Sequence, residues 1–476
     1  MRVVAMTLAA LTLSAAAHAQ IPDFTPQTPL IGALLHNDGV EAKRLLDAGA
    51  DPAGGRFIGF PPVLLAVLRQ DRELLRAMVA RGADLDARDR SGSTALMWAA
   101  FDEHGDAAMA EELLRLGADP RAVNQAGETA LDWALRRGET PAVEALRRAG
   151  ASDGAAIAGS AGKAIALLQR SGAEFTRVSG CFSCHHQSLP QMALGIARAH
   201  GLPVDEAAAR PQVDATVSVL KRVHEEAVRN RDRIPDVPIS VSYALLGLSA
   251  AHYKADVITD AMVQAIAAWQ GSDGAFQPLP PMRPPIESNA FAATALSLRA
   301  LQLYGTRQDA RIARAADWLR TAVPRTTEER AMQLLGLAWA KAPADEMRRS
   351  ADALLAEQRQ DGGWAQLPAL ETDAYATGQA LVALQTAGYD TASPAYRRGV
   401  SFLLRTQFPD GSWLVRSRTF PVQPLRDSGF PHGRHQWISA AGTSWAAMAL
   451  ALAVPPPDDP STPQADDSAR PAASRR

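Results

Sequence analysis

Gln358-Arg359-Gln360-Asp361-Gly362-Gly363-Trp364 is one of three near-copies of a single phrase. The others are Gln270-Gly271-Ser272-Asp273-Gly274-Ala275-Phe276 and Gln407-Phe408-Pro409-Asp410-Gly411-Ser412-Trp413. Asp-Gly makes a tight turn, the aromatic residue packs over the preceding helix end, and the glutamine can bond the carbonyls that such an end leaves free. These residue types in this order are structural rather than catalytic. Apolar spacing on either side of each phrase marks helices. Six of them, Ala161–Phe175, Gln212–Arg229, Thr259–Gln270, Asp309–Ala322, Asp345–Gln358 and Pro394–Gln407, read as an outer set. Six smaller-faced helices that open on capping residues read as an inner set: Ser188–His200, Ser240–Tyr253, Ser288–Tyr304, Thr327–Ala340, Thr372–Ala387 and Ala441–Val454. Six and six close a ring.

From about Ala161 to Val454 the Gln-x-x-Asp-Gly-x-Trp phrase resembles the repeat of squalene and hopene cyclases and of protein prenyltransferases. That resemblance implies a double ring of helices, an (α/α)6 toroid. It carries neither family's chemistry across. The cyclases use an Asp-x-Asp-Asp acid that this chain lacks, which excludes terpene cyclisation. Prenyltransferases hold zinc with an Asp, a Cys and a His from separate helices, whereas both cysteines here fall in one loop. No Gly-x-Ser-x-Gly elbow or phosphate loop supports hydrolysis or nucleotide use. Acidic residues gather where inner helices begin, at Glu287, Glu328, Glu329, Glu371 and Asp373. Carboxylates there offset the helix dipole. The alternative is acid/base work on a ligand in a central cavity.

Nearer the N-terminus, Gly49-Ala50-Asp51, Gly82-Ala83-Asp84, Gly117-Ala118-Asp119 and Gly150-Ala151-Ser152 recur at spacings of 33, 35 and 33 residues. Thr28-Pro29-Leu30, Thr94-Ala95-Leu96 and Thr129-Ala130-Leu131 each open a helix, and Phe60-Pro61-Pro62-Val63-Leu64 departs from that opening. Residues 28–152 resemble about four ankyrin repeats. Each helix pair leaves an apolar face that only its neighbour covers, so the units stack as a solenoid. The resemblance implies a surface for a protein partner. The fold class expected is all-α: an ankyrin-repeat solenoid followed by an (α/α)6 toroid.

Apolar residues make up 47% of the chain and charged ones 21%, and the formal charge is -2 with both signs interspersed. Nothing in that balance attracts nucleic acid or an anionic membrane surface. Arg2, the apolar run Val3 to Ala17 and Ala17-His18-Ala19 form a secretory signal over residues 1–19, which places the protein in the periplasm or outside the cell. No later run approaches the ~20 residues that a spanning helix needs, so an integral membrane protein is not expected. Residues 455–476, rich in Pro, Ser, Asp and Arg, read as a disordered tail.

The only two cysteines stand in Cys181-Phe182-Ser183-Cys184-His185-His186-Gln187, where the first repeat loop of the ring would fall. Cys-x-x-Cys-His is the attachment pattern of c-type haem, with Cys181 and Cys184 as thioether thiols and His185 as iron ligand. Ring closure sets this loop beside Phe430-Pro431-His432-Gly433-Arg434-His435-Gln436-Trp437, so His432 or His435 is the candidate second ligand. Met192 and Met282 are further possibilities, and Arg416 and Arg418 suit haem propionates. His200 and His252 lie at the far ends of their helices. His186 reads as a residue that bonds backbone and holds the loop. The functional expectation is an exported protein that binds covalent haem c and serves electron transfer or haem sensing through protein docking. Two other readings stand beside it: a non-redox scaffold with a Cys181–Cys184 disulfide, and an enzyme that uses the toroid cavity.

Overall fold

The structure is a computed structural model and describes residues 26–102, 106–126, 128–138, 140–151, 154–179, 183–229, 236–279, 283–286, 289–419 and 425–455. The proposed signal, almost all of the proposed tail, Cys181, Met282 and Glu287 lie outside the described residues. The chain divides into two compact units, 1–130 and 131–476. Among the described residues β-structure is limited to isolated bridges, such as that between Gln270 and Phe276. The fold is all-α, as the repeats predict.

In the first unit, α1 (Pro29–Leu35), α3 (Pro62–Leu68) and α5 (Ala95–Ala100) stack in one row, and α2 (Gly39–Asp47), α4 (Arg72–Val79) and α6 (Ala108–Leu116) in a second. The Gly-Ala-Asp phrase explains each join. Gly49, Gly82 and Gly117 take φ of 89°, 89° and 102° and end the helices left-handed. Asp51, Asp84 and Asp119 then accept the N–H two residues on, each at 2.9 Å, which starts the next turn. Thr28 and Thr94 cap α1 and α5 through their hydroxyls, whereas α3 follows Pro61 and has no side-chain cap hydrogen bond. Glu112, buried on α6, is shared by Arg76 of α4 and Arg115, whose hydrogen bonds hold its carboxyl at about 2. The fourth helix pair, α7 (Ala130–Leu135) and α8 (Pro141–Arg148), falls in the second unit except for Ala130.

The second unit contains the predicted six and six. Outer helices are α9 (Gly154–Ser179), α11 (Glu206–Arg229), α13 (Val257–Ala268), α15 (Asp309–Thr321), α17 (Ala344–Leu355) and α19 (Pro394–Thr406). Inner helices are α10 (Leu189–Ala199), α12 (Ser242–Ala250), α14 (Ala290–Tyr304), α16 (Thr327–Trp339), α18 (Ala374–Thr386) and α20 (Gln436–Ala453). Successive inner helices pack on one another, and α20 returns to pack on α10 and α9, closing the ring. The last inner helix begins at Gln436, a turn before the expected Ala441. Helices apolar on every side are core helices. Accordingly α18 buries each residue from Ala374 to Leu384, and α20 each from Ile438 to Ala451. Glycines allow the close approach: a Cβ on Gly378 would stand 2.5 Å from the Ala446 nitrogen.

The repeated phrase is the stitch between neighbouring repeats. Gln270, Gln358 and Gln407 each donate to the carbonyl four residues on and to a carbonyl of the next outer helix: Arg311 at 2.8 Å, Ala395 at 2.8 Å and, across the ring closure, Ser160 at 3.0 Å. The carbonyls expected for these glutamines were those of the preceding helix. Instead the indoles of Trp364 and Trp413 satisfy that helix, donating to Leu354 and Leu403 at 2.8 and 2.9 Å. Net, such a bond contributes about 1 kcal/mol, less than burial of one large apolar side chain. The stitches therefore set register, and the apolar core supplies stability.

Gly411 turns at φ 94° with its Cβ position 2.7 Å from the Lys163 carbonyl oxygen, whereas Gly388 turns at φ 84° with nothing within 4 Å. Gly388→Ala meets only the left-handed backbone and is expected to lose about 1 kcal/mol, while Gly411→Ala loses about 2–4 kcal/mol. Denaturant midpoints of the two variants measure this, and equal losses would show that the close approach at ring closure costs nothing.

Candidate functional site

Ser183 opens the cysteine loop in extended conformation and caps a π-helical turn, Cys184–Ser188, that runs directly into α10. Its Oγ accepts the His186 N–H at 3.1 Å. Gln187 fastens the turn to α9, donating from Nε2 to the Gly172 carbonyl and to Thr176 Oγ1, both at 3.1 Å. Its Oε1 accepts the Ser183 N–H at 2.8 Å. Cys184 is buried in the toroid core.

The wider turn brings two adjacent imidazoles together. His185 and His186 meet through their Nδ1 atoms, and Ser183 Oγ lies 3.3 Å from the His185 Nδ1. His186 is fully buried, with its ring stacked on Phe175 at 4.7 Å and its edge toward Phe430 at 6.2 Å. His185 stacks on Trp437 at 5.1 Å and meets Phe175 edge-on at 5.4 Å. Although part of its surface is accessible, this aromatic shell sets its electrostatics. Burial first, then the nearby Arg283 cation, pushes the His185 pKa down to about 3. Burial, then His185, holds His186 well below its ordinary value. Both rings are neutral at physiological pH, the state in which an imidazole ligates a metal.

The loop expected beside this one is there. Arg426 donates to the Val178 carbonyl at the end of α9, and Trp437 Nε1 donates to the Arg426 carbonyl, both at 3.0 Å. His432 packs on Phe408 at 5.0 Å and Phe430 at 6.5 Å, and its Nε2 meets Ser412 Oγ at 2.8 Å. His435 accepts the Ser417 N–H on Nδ1 at 3.1 Å, with Arg434 Nε 3.4 Å from its other nitrogen. Burial lowers the pKa of both. Arg418 donates to Gln366 at 2.9 Å, and Arg416 is exposed 4.0 Å from Glu371. Met192 packs half-buried against the core, and His200 is bonded to the Val454 carbonyl at the opposite end of α10. Among the described residues no three His, Cys, Asp or Glu side chains gather as a metal site. No described helix is long and apolar enough to cross a membrane.

The acidic rim resolves into separate roles. Asp373 caps α18, accepting the Ala376 N–H at 2.9 Å, and Glu329 completes a capping box with Thr326. Burial raises Asp373 to about 6 against the hydrogen bonds from Ala376 and Gln366. Glu328 does something the capping reading missed. It is buried, and it accepts from Tyr375 Oη at 3.0 Å and Asn289 Nδ2 at 3.1 Å, joining α14, α16 and α18.

Comparison with known families agrees with the two architectures. Residues 63–155 match ankyrin repeats in three copies, and residues 322–456 match the squalene-hopene cyclase C-terminal domain. The cysteine loop lies between these spans. No curated protein matches the chain. The ankyrin match assigns protein–protein interaction to the repeat segment.

Because His185 titrates near 3 when folded and near 6.5 when unfolded, unfolding takes up protons between those values. Stability of the chain is full above 6.5 and falls as pH drops through that window, by up to about 1.4 kcal/mol per pH unit for each such histidine. Urea unfolding of wild type and His186→Phe between pH 7 and pH 5 checks this. The variant is expected to show the shallower slope, and parallel slopes would mean that His186 titrates alike in the folded and unfolded chain.

Proposed function

We propose that the chain is a haem c protein, exported by the segment 1–19, with Cys181 and Cys184 as thioether thiols and His185 as the iron ligand. The ankyrin surface docks a protein partner for electron transfer or haem sensing. The observation that carries this reading is the fixation of His185. Its shown hydrogen bonds fall on Nδ1, its ring lies flat on Trp437, and its environment keeps it neutral. A ligating histidine is normally held in this way, one nitrogen oriented by a neighbour and the other given to the metal. Bound iron would supply reversible one-electron chemistry. Contacts at both nitrogens of His435 leave His432 as the second ligand under this reading.

Inner helices buried along whole faces support a solid frame rather than a cavity enzyme. Export in a host with c-type maturation machinery tests the proposal. The wild-type chain is expected to gain the mass of one haem and to give a c-type pyridine haemochrome, both lost in the Cys181→Ser, Cys184→Ser double variant. A haem-free wild-type chain with a Cys181–Cys184 disulfide would replace this reading with the non-redox scaffold.

A further inference from the structure

We infer that the outer rim beside the cysteine turn is a second docking surface, built from Leu414, Arg416, Leu425, Arg426, Arg434 and Trp437, and that its partner is a soluble redox protein with an acidic face; the inference rests on the haem reading. Backbone bonding sets which side chains face outward. The N–H groups of Trp413, Val415 and Ser417 donate to Thr443, Ser439 and His435 at 3.2, 3.0 and 3.1 Å, so this segment lies along α20 with every second residue turned to it. Leu414 and Arg416, between those residues, stand exposed. A second piece of the same loop is held alongside. Arg426 reaches the Val178 carbonyl at the end of α9, and its own carbonyl accepts the Trp437 Nε1 proton. Leu425, Arg426 and Arg434 are exposed as well.

The charge of this rim is not neutralised locally. Between Val415 and Trp437 the sequence holds four arginines against one carboxylate, Asp427, in a chain whose formal charge is -2. Elsewhere on the surface arginines pair closely with acids, as Arg44 does with Glu41 and Arg198 with Glu206, both at 2.7 Å. Among the described residues the rim arginines make no such close pair. Arg418 binds the Gln366 amide, Arg426 a carbonyl, and Arg434 lies 3.4 Å from the His435 Nε2. Arg416 is 75% exposed, and the nearest acid, Glu371 at 4.0 Å, is 86% exposed. A pair so open to water contributes little. Asp427 turns one oxygen back to the Gly429 N–H at 2.9 Å. The positive field converges beside Trp437: after burial, Arg434 and then Arg416 lower the pKa of His435, two residues before it. Trp437 is half-buried and lies flat on His185 at 5.1 Å, which links the rim to the proposed iron ligand. Arginine and tryptophan are the side chains that carry docking energy, and redox encounters need only a small area. A positive field steers an acidic partner, raising its encounter rate by roughly 10- to 1,000-fold at low salt. The exposed apolar groups here are single leucines, which suit a protein face rather than insertion into a bilayer.

Two measurements on the full chain, with an acidic flavodoxin as the probe, test this. Produced without maturation machinery, the wild-type chain is expected to bind immobilised flavodoxin at low ionic strength and to be released by salt. The Arg416→Gln, Arg434→Gln double variant binds about tenfold more weakly. Equal binding by wild type and variant overturns the surface, and arginine-dependent binding to phosphatidylglycerol vesicles with none to flavodoxin replaces it with a membrane contact. In the haem-loaded protein, reduced flavodoxin gives up one electron and the iron gains it. The rate of that reduction, divided by the rate with a neutral small hydroquinone, is expected to fall about tenfold in the double variant at low salt and to change little at high salt. An unchanged ratio in a haem-bearing chain overturns the surface and leaves the proposed function standing. A chain that gains no haem yet binds flavodoxin through these arginines overturns the proposed function and the redox role, and leaves a docking surface for an acidic protein.

Discussion

The toroid depends on one close approach, made where the sixth repeat meets the first. Gln407 donates across that join to the Ser160 carbonyl and accepts from the Ser160 hydroxyl at 2.7 Å. Beside it the Asp410-Gly411 turn presses against the Lys163 backbone so tightly that a side chain has no room. The same arrangement joins Gly274 to Arg314 and Gly362 to Arg398, with Cβ positions 2.4 and 2.5 Å from the carbonyl oxygens. Three of the six joins are stitched in this way, and the last stitch, after the sixth pair, lands on the first helix.

Closure has a chemical consequence at the first repeat. Its loop carries no stitch, and the contact with α11 is made instead by Gln169, bonded to Asp205, and by Gln212, bonded back to Gln169. The loop turns as a π-helix anchored by Gln187, and a second π-helical turn, Val237–Val241, leads into α12. π-turns are uncommon and cluster at functional sites. Here the wider turn lets adjacent histidines face each other. Since the sixth repeat packs on α9, its long loop supplies Trp437 and Phe430 to the same cluster, some 250 residues away in sequence.

Repetition made the architecture legible before any coordinates. Three phrases at the same place in the third, fifth and sixth helix pairs, four Gly-Ala-Asp or Gly-Ala-Ser joins, and the apolar spacing between them gave helix number, pairing and ring closure. The neighbourhood of the cysteine and histidine loops followed from that count. Legibility stopped at partner identity. The glutamines were expected on the preceding helix and found on the next, because a chemical type announces what it can bond, not which carbonyl lies within reach. Thr294, Thr377 and Thr443, which accept the backbone N–H of Phe276, Trp364 and Trp413, were missed although each holds its loop to an inner helix. A lone threonine in an alanine-rich helix carries no signal until the three loops are superposed. Glu328 was grouped with the capping acids for its position, and only burial beside Tyr375 separates it from them.

Burial also decides where chemistry is feasible in this ring. Inner helices buried from Ala374 to Leu384 on α18 and from Ile438 to Ala451 on α20 form a close-packed support. Polar side chains inside it bond to one another, as Ser242 does to Ser297 at 3.3 Å. The rim differs, because loops there end in titratable groups that aromatic residues shield from water. For a carboxylate such as Asp373, shielding raises the pKa. For His185 and His186 it lowers the pKa and favours the uncharged ring. A buried carboxylate network joins helices, whereas a shielded neutral imidazole with one nitrogen committed has the other available. Under the proposed function, that asymmetry puts the functional weight on the cysteine loop rather than on the acidic rim or the centre of the ring.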